Sequence, residues 1–155
     1  MYISIIFLEH KFLDSLNVGI FISTSQYIID AFYILEGILK MSEFIIYHNP
    51  RCSKSRETLA LLEENNITPT IREYLKTPPT VDELTQLLQK LQLSAKDIIR
   101  TKEAEYKANN LEDSSDEQLL SAISQFPKLL ERPIVIHKQQ AVIGRPPENV
   151  LALVE

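Results

Sequence analysis

The chain has little cysteine, little glycine and no excess of positive charge. Its 155 residues include one cysteine, Cys52, so an internal disulfide is impossible and we expect a protein of the reducing cytoplasm. Three glycines are too few for a collagen-like chain or a flexible linker. A net charge of −5 argues against a dedicated nucleic-acid-binding protein, which would carry a basic surface.

Long apolar runs are also missing. No stretch reaches the roughly eighteen apolar residues of a membrane-spanning helix, because even the uncharged residues 15–29 include Ser, Asn, Thr and Gln. A secretory signal needs a basic region before its apolar core, whereas Glu9, His10 and Lys11 interrupt the apolar residues. The three histidines and one cysteine lack metal-ligand spacing. We therefore expect neither a membrane segment nor a metal.

Residues 1–40 differ in composition from the rest of the chain. They are rich in Ile, Phe, Tyr and Leu, contain no Arg, and show no clear strand–turn–helix order. Glu36-Gly37 must be encoded by G-A-purine-G-G-N, which resembles a bacterial ribosome-binding sequence shortly before the Met41 codon. We expect Met41 to be the true start and residues 1–40 to be a non-native extension. The rival interpretation is an accessory helix or a partner-binding segment. The working domain would be residues 41–155.

The first part of this domain predicts a strand, a helix and a second strand. The β-prone run at 44–47 is broken by His48-Asn49-Pro50, and Asn49 is a favourable N-cap for a helix over about 51–65. Residues 70–74 form the second strand candidate. A strand, helix and strand of these lengths are typical of a parallel βαβ unit.

A helical block and a β-β-α half follow. Capping boxes at Thr80/Glu83 and Ser115/Gln118 predict two helices, and a short helical turn at 95–100 lies between them. The apolar runs 134–136 and 141–143, separated by a polar turn, predict a hairpin, and Pro146-Pro147 opens a last helix.

Cys52 is placed by this order in or beside the first turn of a helix. Unpaired N–H groups and the helix dipole there favour a thiolate over a thiol, and the same groups can bind an anion. A buried, inert cysteine is the alternative, but the polar segment H-N-P-R-C-S-K-S does not resemble a core sequence. Cys52 is therefore predicted to be a nucleophile beside an oxyanion site.

Three segments carry a specific resemblance. Residues 46–56, I-Y-H-N-P-R-C-S-K-S-R, resemble the active-site loop of the glutaredoxin-linked arsenate reductase family. E-R-P-I-V at 131–135 and I-G-R-P-P at 143–147 resemble that family's two later arginine motifs, and D-I-I-R-T-K at 97–102 resembles its first. The similarity runs in order from about residue 44 to 155. It implies an α/β, thioredoxin-like fold with a helical insertion between the βαβ and ββα halves.

The resemblance also implies residue roles. Cys52 would be the catalytic nucleophile, and the oxyanion would be bound by Arg100, Arg132 and Arg145. Arginine suits this role because its planar fork donates paired hydrogen bonds and stays charged. Each arginine alone would otherwise be interpreted as a surface ion pair. The supporting residues would be His48, Asn49, Ser53 and Pro133, with a cis peptide bond before Pro133. His48 would tune the thiolate or hydrogen-bond the loop, or be a satisfied histidine at a strand end.

Ser55 stands where a C-x-x-C protein has its second cysteine, so Cys52 must be reduced by an external thiol. The resemblance implies arsenate as substrate, glutathione as co-substrate without any bound cofactor, and glutaredoxin as partner.

Two alternatives stay open. One is a reductase for another oxyanion or a glutathione adduct on the same scaffold. The other is a non-catalytic thiol-stress regulator that binds RNA polymerase, whose relatives commonly carry C-x-x-C.

Overall fold

The computed structural model describes residues 44–154. The predictions that residues 1–40 are a non-native extension and that Met41 is the true start concern a segment outside the described residues.

The described strands form a four-stranded sheet. Its members are β1 (Phe44–Tyr47), β2 (Thr70–Arg72), β3 (Ile134–His137) and β4 (Gln140–Ile143), in the spatial order β2-β1-β3-β4. β1 runs parallel to β2 and antiparallel to β3, and β3 runs antiparallel to β4. The predicted parallel unit and hairpin are confirmed, although β2 ends two residues before the predicted Tyr74.

Helices connect and flank these strands. Helix α1 (Ser53–Glu64) links β1 to β2, and a 3-10 segment (Pro147–Leu153) follows β4. The helical block between β2 and β3 contains α2 (Val81–Leu91), α3 (Ala95–Ile98), α4 (Ala104–Ala108) and α5 (Asp116–Gln125), with 3-10 segments at Leu111–Asp113 and Pro127–Leu129. This order confirms the predicted α/β, thioredoxin-like fold with a helical insertion between the βαβ and ββα halves.

Apolar side chains cover both faces of the sheet because neighbouring residues of a strand point to opposite sides. On β1, Phe44 and Ile46 pack with Leu62 of α1 and Val150 of the last 3-10 segment. Ile45 and Tyr47 instead pack with the cluster formed by the helical block. The sheet is thereby held between α1 on one side and the inserted helices on the other.

Both predicted capping boxes are present. The Thr80 hydroxyl accepts from the backbone N–H of Glu83, whose carboxylate accepts from the backbone N–H of Thr80. Ser115 and Gln118 form the same reciprocal pair at the start of α5.

The start of α1 differs from the prediction that Asn49 is its N-cap. Cys52 is the N-cap and Ser53 the first helical residue. The side-chain oxygen of Asn49 accepts from the backbone N–H of Arg51 at 3.0 Å, and the backbone N–H of Cys52 donates to the Asn49 carbonyl at 3.0 Å. These bonds hold Pro50 and Arg51 in a turn before the helix.

Candidate active site

The loop between β1 and α1 is fixed at both ends. The backbone N–H of His48 donates to the Arg72 carbonyl at 2.9 Å and so extends the pairing of β1 with β2. The backbone N–H of Asn49 donates to the hydroxyl of Ser55, which is fully buried in α1. The loop that carries Cys52 is thereby tied to the sheet and to the helix that follows it.

Cys52 is partly exposed at the N-terminus of α1. Burial by itself raises the pKa of the thiol, but the backbone N–H groups of Ser55 and Lys54 and the positive charges of Arg145 and Arg132 outweigh it. The pKa of Cys52 is consequently lower than that of a free thiol, as expected for a cysteine beside unpaired helical N–H groups.

Arg145 reaches Cys52 from the turn after β4. Its Nη2 atom lies 3.7 Å from the Cys52 sulfur, and its Nε atom donates to the Arg132 carbonyl at 2.7 Å. The backbone N–H of Gly144 donates to the Pro133 carbonyl at 2.9 Å. The Arg132–Pro133 and Arg145–Pro146 peptide bonds are both cis, which confirms the cis bond expected at Pro133.

Arg100 and Arg132 lie deeper than Arg145. Their side chains are 22% and 17% exposed, against 40% for Arg145. The backbone around Arg100 is joined to the segment before Arg132 by an antiparallel bridge between Ile99 and Leu130. Burial lowers the pKa of Arg100, and the charges of Arg132 and Arg145 lower it further. Arg145 and Arg132 therefore lie near enough to Cys52 for their charges to act on its thiol, and Arg100 is joined to both arginines through the carboxylates that they share.

Residues 47–153 match the ArsC family. The chain belongs to this family. It is 54% identical over 112 residues to the uncharacterized protein YfgD of Escherichia coli, covering 70% of this chain and 94% of that protein. It is 51% identical over 112 residues to a protein named arsenate reductase from Haemophilus influenzae, covering 70% and 97% of the two chains. The solved structure of an arsenate reductase from Vibrio cholerae matches with a TM-score of 0.70 at 52% identity, covering 72% of this chain and 98% of that one.

Two carboxylates in this ArsC-family site were missed by the sequence analysis. Glu131 lies 2.9 Å from Nε of Arg145 and 3.9 Å from Nε of Arg100. Glu103 contacts Nη1 of Arg100 and lies 3.9 Å from Nη1 of Arg132. The sequence offered two signals for these contacts: Glu131 lies within the E-R-P-I-V motif directly before Arg132, and Glu103 follows Arg100 by three residues.

His48 is buried, and burial lowers its pKa. Its Nδ1 atom has no hydrogen-bond partner within residues 44–154. Ser53 is exposed at the first position of α1, and the backbone groups that lower the pKa of Cys52 belong instead to Lys54 and Ser55. The supporting roles of His48, Asn49, Ser53 and Pro133 stay predictions.

The part of the chain from 44 to 154 contains no group of three or more His, Cys, Asp or Glu side chains that could hold a metal ion. Over the same residues, no helix has both the length and the apolar character needed to cross a membrane.

Proposed function

We propose that this chain reduces arsenate to arsenite, with Cys52 as the nucleophile and glutathione and glutaredoxin as the external reducing system. The observation that carries the proposal is the position of Cys52 at the N-terminus of α1, where Nη2 of Arg145 lies 3.7 Å from the sulfur and the charge of Arg132 also acts on the thiol. The similarity to proteins named arsenate reductase supports arsenate as the oxyanion.

The electrostatics of the site suit an oxyanion. The N-terminal N–H groups of α1 and the positive ends of the arginines stabilise negative charge, both on the thiolate and on bound oxygens. Nε of Arg132 is buried and has no acceptor among residues 44–154. Since buried donors are normally paired, an oxyanion oxygen is a suitable acceptor for this group.

The proposed reaction begins when the Cys52 thiolate attacks arsenic and forms an S–As bond, while one arsenate oxygen takes up protons and leaves as water. Glutathione then supplies the second thiol. Its thiolate attacks the Cys52 sulfur, so that an S–S bond forms while the S–As bond breaks, and the electron pair of that bond stays on arsenic, which leaves as arsenite. Reduction of As(V) to As(III) thus takes two electrons, one from each sulfur, and the two sulfurs end as a mixed disulfide between Cys52 and glutathione. Glutaredoxin attacks the glutathione sulfur, and Cys52 leaves as a thiolate. The external thiol is needed because the chain has no second cysteine.

An NADPH-coupled assay with glutathione, glutathione reductase and glutaredoxin tests the proposal. We expect arsenate-dependent NADPH oxidation by the wild-type protein and none by Cys52→Ser. Other oxyanions and glutathione adducts should be assayed in parallel, because the arginines explain oxyanion binding but not a preference for arsenic. Turnover of another substrate without arsenate turnover would indicate the other reductase. No turnover of any substrate would favour the non-catalytic regulator.

A further inference from the structure

The positive charges of the candidate site already have negative partners. Arg100, Arg132 and Arg145 are accompanied by the side chains of Glu131 and Glu103, each only 25% exposed. With Cys52 as a thiolate, the site therefore contains three positive charges, from the arginines, and three negative ones, from the two carboxylates and the thiolate, before any oxyanion binds. The two carboxylates differ in which edge of the guanidinium groups they contact.

Glu131 contacts Nε of Arg145 and Arg100, which is the guanidinium nitrogen nearest to the main chain of each arginine. One carboxylate oxygen lies 2.9 Å from Nε of Arg145 and accepts from the backbone N–H of Arg132 at 3.0 Å. The other lies 3.9 Å from Nε of Arg100. Glu103 instead contacts terminal nitrogens, namely Nη1 of Arg100 and Nη1 of Arg132.

The choice of edge matters because a guanidinium offers its N–H groups in a fixed planar fork. A carboxylate at Nε restricts rotation of the group and leaves Nη2 free to point elsewhere. In Arg145 the free Nη2 is the atom that faces the Cys52 sulfur. Nε of Arg145 has two partners. Its N–H group donates to the Arg132 carbonyl, and the Glu131 carboxylate lies beside it as the ionic partner.

The backbone of Glu131 is also tied to the segment that carries Arg100. Its backbone N–H donates to the Ile98 carbonyl at 2.7 Å, so its main chain is held against the segment that carries Arg100. A single residue is thereby joined to the elements that carry all three arginines. Glu131 is well placed to hold them in one arrangement.

We propose that Glu131 is a positioning residue of the site, which holds Arg145 by its Nε edge so that Nη2 of Arg145 faces Cys52 and an incoming oxyanion. This inference rests on the proposed oxyanion site. The rival explanation is that Glu131 acts only through its charge, as a negative group that weakens both the thiolate and oxyanion binding.

Two variants separate these explanations. Glu131→Gln keeps a side-chain oxygen that can accept from the backbone N–H of Arg132 and lie beside Nε of Arg145 but removes the charge, and Glu131→Ala removes both. Glu105→Gln is a matched control, because it removes a carboxylate that pairs with Lys128 at 3.0 Å outside the arginine group. The chain has one cysteine, so iodoacetamide alkylation reports on Cys52 alone. Its rate should be followed against pH, without arsenate and with arsenate in the absence of glutathione.

For Glu131→Ala we expect the midpoint of alkylation to rise by about one pH unit. At any pH well below the midpoint, this means about a tenfold smaller thiolate fraction. We also expect arsenate protection to weaken by about tenfold or more, or about 1.4 kcal/mol. Glu131→Gln should show a midpoint no higher than wild type and retain protection. The control should match wild type. Circular dichroism should show that all variants are folded.

Three results would overturn the inference. In the first, both Glu131 variants lower the midpoint and strengthen protection, as a pure charge effect requires. In the second, Glu131→Ala is indistinguishable from wild type. In the third, Glu105→Gln reproduces the changes seen in Glu131→Ala. Failure of the proposed function has a different signature, because wild-type Cys52 would then gain no protection from arsenate while the alkylation midpoints would still test the positioning of Arg145.

Discussion

Arg145 is the residue through which the reactivity of Cys52 can be tested most directly, because its Nη2 atom lies 3.7 Å from the sulfur. We expect Arg145→Ala to raise the pKa of Cys52 and to lower kcat/KM for arsenate by more than tenfold, about 1.4 kcal/mol. Arg145→Lys should also be damaging, since lysine lacks the Nε–H that contacts Glu131 and the Arg132 carbonyl.

The measurement combines alkylation against pH with steady-state kinetics. In the wild-type protein the midpoint of alkylation should lie below the free-thiol value of roughly 8.5. The Tm should barely change in Arg145→Ala, because that side chain is 40% exposed. Wild-type kinetics and an unchanged midpoint in both variants would show that Arg145 is an ordinary surface arginine.

Gly144 allows the turn after β4, which carries Arg145, to approach α1. A Cβ atom at this position would lie 2.7 Å from Oγ1 of the buried Thr58 and 3.0 Å from Cγ of Pro133. We expect Gly144→Ala to destabilise the protein by about 1–3 kcal/mol in urea unfolding, because neighbouring atoms must move. Since Arg145 is the next residue, the variant should also lose activity.

A second substitution checks the steric cause. Thr58→Ala removes both Thr58 atoms that the new methyl group would meet. The double variant should therefore be more stable than the sum of the two single changes predicts. Strict additivity would mean that the cost of Gly144→Ala arises elsewhere.

Helix α2 depends on Glu83 at its N-terminus. Glu83 hydrogen-bonds Arg72 at 2.7 and 3.0 Å and caps the backbone of Thr80. The Arg72 bonds, followed by the Thr80 backbone bond, lower the pKa of Glu83 from 4.5 to about 2. A folded-state pKa below the unfolded one stabilises the protein at neutral pH, and this stabilisation is lost as the pH falls from about 4.5 towards 2.

We expect Glu83→Gln to lower the free energy of unfolding by roughly 0.5–1 kcal/mol at pH 7. The value is modest because the Glu83 side chain is 40% exposed. The difference from wild type should shrink at pH 3. Urea unfolding of both proteins at pH 7, 4.5 and 3 provides the measurement. A difference that is the same at all three values would contradict the lowered pKa.

At the scale of the whole molecule, the single cysteine sets the redox requirement. The chain cannot close an internal disulfide, so turnover should depend absolutely on glutathione and glutaredoxin. Thioredoxin alone should support little activity. Mass spectrometry of the protein after arsenate and glutathione, without glutaredoxin, should detect one glutathione bound per chain. Full turnover with thioredoxin and no glutathione would show that the proposed mixed disulfide is wrong.

The sequence by itself determined the features that depend on neighbouring residues. The capping boxes at Thr80 and Ser115 are contacts between residues three apart, so local sequence is sufficient to predict them. The β-prone apolar run at 44–47 likewise predicted β1, and the polar turn between two apolar runs predicted the hairpin of β3 and β4. The motif resemblance supplied Cys52 and the three arginines, which lie far apart in the chain.

Only the tertiary structure decided how these residues meet. Asn49 was predicted to be the N-cap of α1, but its side chain forms a turn with Arg51, and local propensity does not distinguish these two bonding patterns. The contact of Glu131 with Arg100 joins residues 31 positions apart and exists because the bridge between Ile99 and Leu130 brings their segments together. Charged side chains have many possible partners in a sequence, and the fold determines which of them come within ion-pair distance.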